Sequence, residues 1–205
     1  MRRRRTGASL TYEQLAELVR GRVSGATLKR ATSGASVPSW DTVVALVQNT
    51  TTDAEEIDEG ALALALAYAE ELWKDARRAT RATYYLHKAP DPTLIANRAD
   101  LSQALRDQHT WCGAPSPREM EEKAGIGQLP SSTARRILAG RILPVSTEQT
   151  IAFLLACYVR PPHLDHWMHG AIRAGVTSQA KWELAYGKVV ERRRTENQEQ
   201  STLAA

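Results

Sequence analysis

One short residue pattern occurs twice in this chain. The first copy reads Thr11-x-x-x-Leu15-Ala16, then Ser24-x-x-Thr27-Leu28-Lys29-Arg30, then Gly34, then Val37-Pro38. The second reads Ser116-x-x-x-Met120, then Ser131-Ser132-Thr133-Ala134-Arg135-Arg136, then Gly140, then Leu143-Pro144. Gly34 and Gly140 stand 106 residues apart, as do Pro38 and Pro144. One extra residue within 125–130 of the second copy brings the earlier parts into line. Both copies run on into an apolar helix of similar length, at 42–47 and 147–155. A repeated supersecondary unit constrains the fold more tightly than composition does, because each copy must solve the same packing problem.

The parts of the repeat suit a helix-turn-helix. A short helix opens with a hydroxyl cap, Thr11 or Ser116, and turns Leu15 or Met120 inward. A tight turn follows. The next helix opens with small residues, whose backbone amides can approach a phosphate closely. Its outward positions are Lys29 and Arg30, or Arg135 and Arg136; its inward positions are Leu28 and Ala31, or Ile137 and Leu138. A helix of this kind can lie in a major groove and bring its first residues to base edges.

With the turns Gly34-Ala35-Ser36-Val37-Pro38 and Gly140-Arg141-Ile142-Leu143-Pro144, both copies resemble the lambda-repressor-like (XRE-type) helix-turn-helix domain, in the form common in actinobacterial regulators. The resemblance covers residues 9–48 and 94–175. It implies that Thr11 and Ser116 cap a positioning helix near phosphate. It also implies that Thr27, Lys29, Arg30, Ser132, Thr133, Arg135 and Arg136 face DNA. The family module begins with a further helix. Copy two supplies it at 94–108, with Leu101 and Leu105 inward; copy one has only residues 1–10 there and reads as truncated. Either the helix containing Leu62 and Trp73 or a partner is expected to fill that gap. Arg2, Arg3, Arg4 and Arg5 read as an arm into the minor groove or along phosphates, or as a frayed terminus.

Elsewhere the chain is helical in pattern and nearly free of period-2 alternation. Residues 10–19 place Leu15, Leu18 and Val19 on one face. Ser39 precedes an amphipathic helix at 40–47. The longest helical stretch runs from Asp53 to about Lys88, with an acidic start (Asp53, Glu55, Glu56, Asp58, Glu59) and a basic end (Arg77, Arg78, Arg81). Leu62, Leu66, Ala69, Trp73 and Ala76 make a 4-3-4-3 seam, for packing within the chain or between two copies. Pro90 and Pro92 mark a linker at 89–93. A last amphipathic helix is expected at 164–174, and a polar tail without structure from Glu191. The expected architecture is therefore all-α: a truncated helix-turn-helix module at 1–52, a connecting helix at 53–88, the linker, a second helix-turn-helix module at 94–187, and a tail at 188–205.

Charge supports a nucleic-acid partner locally. Residues 1–48 carry eight Lys/Arg against three Asp/Glu, and residues 49–97 carry five against nine. The chain as a whole is only +4. No apolar run reaches the ~20 residues a membrane span needs, and no signal-peptide pattern follows the first arginines. The expected address is cytoplasmic and nucleoid-associated. The two cysteines, Cys112 and Cys157, read as reduced thiols. His163, Asp165, His166 and His169 are spaced along one side of a helix but lack a clear fourth ligand, so no metal site is expected. No cofactor loop or nucleophile–base pair stands out, so a non-catalytic protein is expected. The leading expectation is sequence-specific binding of double-stranded DNA in transcriptional regulation. The partner is duplex DNA, with a homodimer through the middle helix as an option and no membrane. The alternatives are an architectural or plasmid-maintenance DNA-binding protein, and a helical protein-interaction module that has lost DNA binding.

Overall fold

Hydroxyl and amide side chains start most of the helices. Thr11, Ser24, Ser39, Asn97, Ser116 and Ser146 each accept a hydrogen bond from a first-turn backbone N–H, which the helix itself leaves unpaired. The computed structural model describes residues 10–19, 23–50, 59–82, 84–125 and 127–203, apart from the side chains at 59, 193, 194 and 196–203. Arg2, Arg3, Arg4 and Arg5, the arm of the sequence reading, lie outside the described residues, as does the acidic start of the long helix at 53–58. The fold is all-α, and no strand occurs among the described residues. Two compact units divide the chain, Met1–Thr80 and Arg81–Ala205.

The N-terminal unit contains α1 (Tyr12–Leu18), α2 (Gly25–Ser33), α3 (Trp40–Gln48) and α4 (Glu59–Arg81). Among its described residues Leu15, Leu28, Ala31 and Leu46 are buried together, with Leu10, Tyr12, Ala16 and Val23 packed around them. A hydrogen bond of 2.7 Å between Tyr12 Oη and Thr32 Oγ1 ties α1 to α2. Leu18 departs from the expectation of an inward face, being 52% exposed. Leu15 and Val19 are one helical turn apart and share the buried stripe, whereas Leu18 falls at its edge and lines an open groove with Val44 and Ala45 of α3.

The seam expected on the long helix is used in part. Trp73 is buried; its indole N–H donates to the Pro38 carbonyl at 2.8 Å, and its ring lies tilted on Trp40 with centroids 5.4 Å apart. The Arg77 guanidinium covers Trp73 at 4.5 Å. Leu62, Leu66 and Ala69 are only half-buried and Ala76 is exposed. Leu64, Tyr68 and Leu72, one turn apart, lie 73%, 68% and 51% exposed. The helix also stops at Arg81, short of Lys88. Thr80, Thr83, Tyr84 and Tyr85 are weaker helix formers than the Ala-rich stretch before them, and the Tyr84 hydroxyl donates outward to Asp107 at 2.8 Å.

The C-terminal unit contains α5 (Arg98–Trp111), α6 (Pro117–Ala124), α7 (Ser131–Leu138), α8 (Thr147–Ala156), α9 (Leu164–Arg173) and α10 (Gln179–Leu203). Helix α8 is its centre, with every residue from Thr150 to Cys157 buried. A helix apolar on all sides must be enclosed by others. Around it stand Leu101 and Leu105 from α5, Met120 from α6, Ile137 from α7, Trp167 from α9 and Trp182 from α10. Leu94, expected to open the helix before the second repeat, instead ends a short 3-10 turn at Pro92–Leu94 and is exposed. Asp91 caps that turn, and Asn97 then starts α5 with a reciprocal capping box to Asp100. Arg173 secures the same turn by donating to the carbonyls of Ile95, Pro92 and Thr93.

The tail expected to lack structure from Glu191 continues α10 as helical backbone to Leu203. Trp182, Ala185 and Val189 are buried at three- and four-residue spacing, which anchors the helix, and no glycine or proline interrupts it after Gly187. Both cysteines are buried free thiols. Burial, with Cys112 beside it, pushes the Cys157 thiol up. No helix among the described residues is long and apolar enough to cross a membrane.

Candidate nucleic-acid interface

The exposed face of α7 follows from which two residues it buries. Ala134 and Ile137 point into the core. Leu138, expected inward beside Ile137, is half-buried and packs at the core's edge. With Ala134 and Ile137 inward, Ser132, Arg135, Arg136 and Ala139 form one exposed stripe at three- and four-residue spacing. Helix α2 repeats this at an offset of 106 residues. Leu28 and Ala31 are buried, while Ala26, Lys29, Arg30 and Ser33 form the exposed stripe. The duplication therefore extends to the faces of the helices.

Lys29, Arg135 and Arg136 make no ion pair with another described residue; Arg30 reaches Thr27 Oγ1 at 3.5 Å and likewise has no acidic partner among the described residues. Thr27 and Thr133 are half-buried at the flank of the stripe. Thr27 Oγ1 lies 3.0 Å from Ser24 Oγ and helps to cap α2. Helix α7 starts differently, at Pro130 with no side-chain cap. Gly34 caps α2 and Gly140 follows the Ala139 cap of α7, both with positive φ, 79° and 69°, a conformation in which a side chain would be strained.

The two hydroxyl caps of the preceding helices differ in charge. Thr11 Oγ1 accepts from the Gln14 N–H at 3.1 Å, and the Gln14 amide oxygen accepts from the Thr11 N–H at 2.8 Å. In copy two Glu119 takes the place of Gln14: its carboxylate accepts from the Ser116 N–H at 2.6 Å. The capping box of α1 is thus neutral where that of α6 holds a carboxylate, which repels phosphate at the cap itself, although Glu13 also stands in the first turn of α1. Ser116 is poorly placed electrostatically for the role its resemblance implies.

The turn between α6 and α7 encloses Gln128, whose side-chain amide is buried with neither end bonded to another described group. Nothing in the repeat pattern pointed to it. Sequence reasoning also passed over Arg98, Arg106 and Arg141, which line one trough beside the C-terminal end of α7. The only signal for them was Arg98-x-x-x-Ser102-x-x-x-Arg106, a line along one side of a helix. No cluster of metal-binding side chains forms among the described residues, around His163, His166 and His169 or elsewhere. Comparison with protein-family models, with curated proteins and with solved structures finds no match for this chain.

Proposed function

We propose that this protein binds double-stranded DNA through the exposed face of α7, with sequence preference, as a transcriptional regulator does. One observation carries the reading: α7 buries Ala134 and Ile137 in the core and leaves Ser132, Arg135 and Arg136 along one exposed edge without acidic partners among the described residues. Arginine can donate two parallel hydrogen bonds to guanine O6 and N7, and a serine hydroxyl can bond to any base edge. Helices α5, α6, α8, α9 and α10 hold this edge on a well-packed frame, as a reading surface requires. Helix α2, with Lys29 and Arg30 in the equivalent positions, is a second contact of the same type on a smaller frame. Thr11, with a neutral cap, still has a hydroxyl proton to donate to phosphate.

For the N-terminal unit a second reading has an observation of its own. Leu64, Tyr68 and Leu72 bare an apolar stripe on α4, which favours use of that unit for docking another protein.

The test is selection of bound duplexes from a random-sequence library by the full-length chain, repeated with Arg135→Ala/Arg136→Ala. The expected result is an enriched site bound about 10³-fold or more above random duplex, with the preference lost in the double variant. A ratio near one with strong binding favours an architectural protein. No salt-dependent binding overturns the reading and leaves the docking function.

A further inference from the structure

We infer that the trough between α5 and the turn after α7 is a binding site for phosphate groups, with Arg98, Arg106 and Arg141 as its anchors. Arg98, Ser102 and Arg106 succeed one another at four-residue spacing along α5, which spreads the two guanidinium groups over about 12 Å of helix. Gly140, Arg141 and Gly175 close the other sides. The trough has a volume of about 1180 Å³ and no acidic side chain lines it. That exceeds the usual range for an enclosed small-molecule pocket, about 300–1,000 Å³, and suits an extended anion lying along it.

Arg106 is held in advance for this task. Its Nη1 donates to Ser102 Oγ at 2.6 Å and its Nη2 to Gln103 Oε1 at 2.5 Å. A Cβ added to Gly140 would stand 2.9 Å from Arg106 Nη1, so the absence of a side chain at 140 makes room for the guanidinium. The two neutral partners orient the group and leave its charge uncompensated, and further N–H donors remain on its fork. None of Arg98, Arg106 or Arg141 makes an ion pair with another described residue. Planar guanidinium groups match phosphate oxygens two at a time and stay charged at every physiological pH. Phosphate is the shared chemistry; a duplex backbone and a free polyphosphate are its two sources.

The trough adjoins Leu138 and Ala139 at the end of α7. The duplex arm rests on the proposed reading role of α7; the free-phosphate arm does not. The full-length chain and Arg106→Gln/Arg141→Gln are compared in two titrations. In the first, anisotropy of a labelled duplex is followed from about 50 to 200 mM salt. The double variant is expected to lower the slope of log affinity against log salt by about 2, at ~0.9 per lost phosphate contact, with the ranking of duplex sequences unchanged. Arg106→Lys should restore part of the slope. In the second, tripolyphosphate is titrated calorimetrically, and binding by the wild type that disappears in the variant assigns the trough to free phosphate. Arg98→Gln, at an exposed first-turn position, serves where the double variant loses its far-UV helical signal. An effect in either arm supports the site. Equal behaviour of wild type and variants in both, or no binding of either ligand by the wild type, overturns it. Failure of the α7 reading appears separately, as unchanged sequence ranking in Arg135→Ala/Arg136→Ala.

Discussion

The two copies of the repeat present nearly the same surface on very different supports. Helices α2 and α7 bury residues at matching positions, Leu28 with Ala31 and Ala134 with Ile137, and expose Lys29–Arg30 and Arg135–Arg136 at matching positions. Behind α2, the core cluster among the described residues is Leu15, Leu28, Ala31 and Leu46. Behind α7, more than two dozen buried residues form one cluster built around α8. The helix that follows shows the same contrast. In α3 one stripe (Thr42, Val43, Leu46, Val47) is buried, whereas in α8 all sides are. An outward pattern of charge costs a sequence little to duplicate. The apolar frame that fixes its position does not come with it, because it depends on α5, α9 and α10, which have no counterpart beyond α4 among the described residues of the N-terminal unit.

The contrast can be broken first at the cores. Phe153→Ala in α8 should cost about 3–5 kcal/mol, and Leu28→Ala in α2 about 2–4 kcal/mol. The smaller loss is expected to do more harm: denaturation followed by residue-resolved amide signals should show the N-terminal unit unfolded by Leu28→Ala while the C-terminal unit survives Phe153→Ala. Equal tolerance of both would remove the contrast. Next comes Trp73→Phe, which deletes the bond to the Pro38 carbonyl and reduces the stacking on Trp40. A loss of about 1–2 kcal/mol is expected, confined to the N-terminal unit in chemical denaturation.

The glycine pair sharpens the comparison at matched sites. Gly34→Ala and Gly140→Ala both force a side chain into positive φ, for about 1 kcal/mol each. At Gly34 nothing lies within 4 Å of the added carbon, whereas at Gly140 it meets Arg106. That guanidinium is the far end of a flexible side chain and can move aside, so thermal melts should show the two costs to be similar. Only Gly140→Ala should also weaken phosphate binding; a parallel loss in Gly34→Ala would contradict that.

The smallest effect is one of pH. The Thr93 hydroxyl, then its N–H, hold the Asp91 carboxyl below its ordinary value. Its folded pKa thus lies under the unfolded value of about 4. Its contribution to the C-terminal unit is complete above that pH and is lost as pH falls through the folded value. The melting temperature of that unit should drop slightly below about pH 4, and Asp91→Asn should flatten the drop. A drop of the same size in Asp91→Asn would assign it to other carboxylates.

The all-α fold was readable from periodicity and from caps. Thr11, Ser39 and Ser116 start helices where the pattern placed them, because an N-cap depends on neighbours in sequence alone. What escaped depended on contacts distant in sequence. Leu18 belongs to an apolar pattern, yet α3 leaves it uncovered. Trp73 was one of five equivalent seam positions until Pro38 and Trp40 singled it out. Leu138 sits at the edge rather than inward because the register of α7 is set by Ala134 and Ile137 together, against a core that the sequence does not display. The helix after Gln179 runs through the stretch expected to be an unstructured tail because Glu, Arg and Gln favour helix as well as solvation. Of the interface, the outward cations were legible as a pattern. The carboxylate beside Ser116 could have been read from Glu119 at the third position of the capping box, but its consequence for phosphate was not. Arg106 and Arg141 line one trough only because the turn at Gly140 folds back on α5.

The most direct test of the account is photo-crosslinking from α7 itself. The crosslinking residue p-benzoylphenylalanine, placed at exposed Ser132, should capture a duplex bearing the selected site. Placed at exposed Glu183 on α10, it should not. Capture from Glu183 alone, or equal capture from both, would contradict the placement of the α7 edge against DNA.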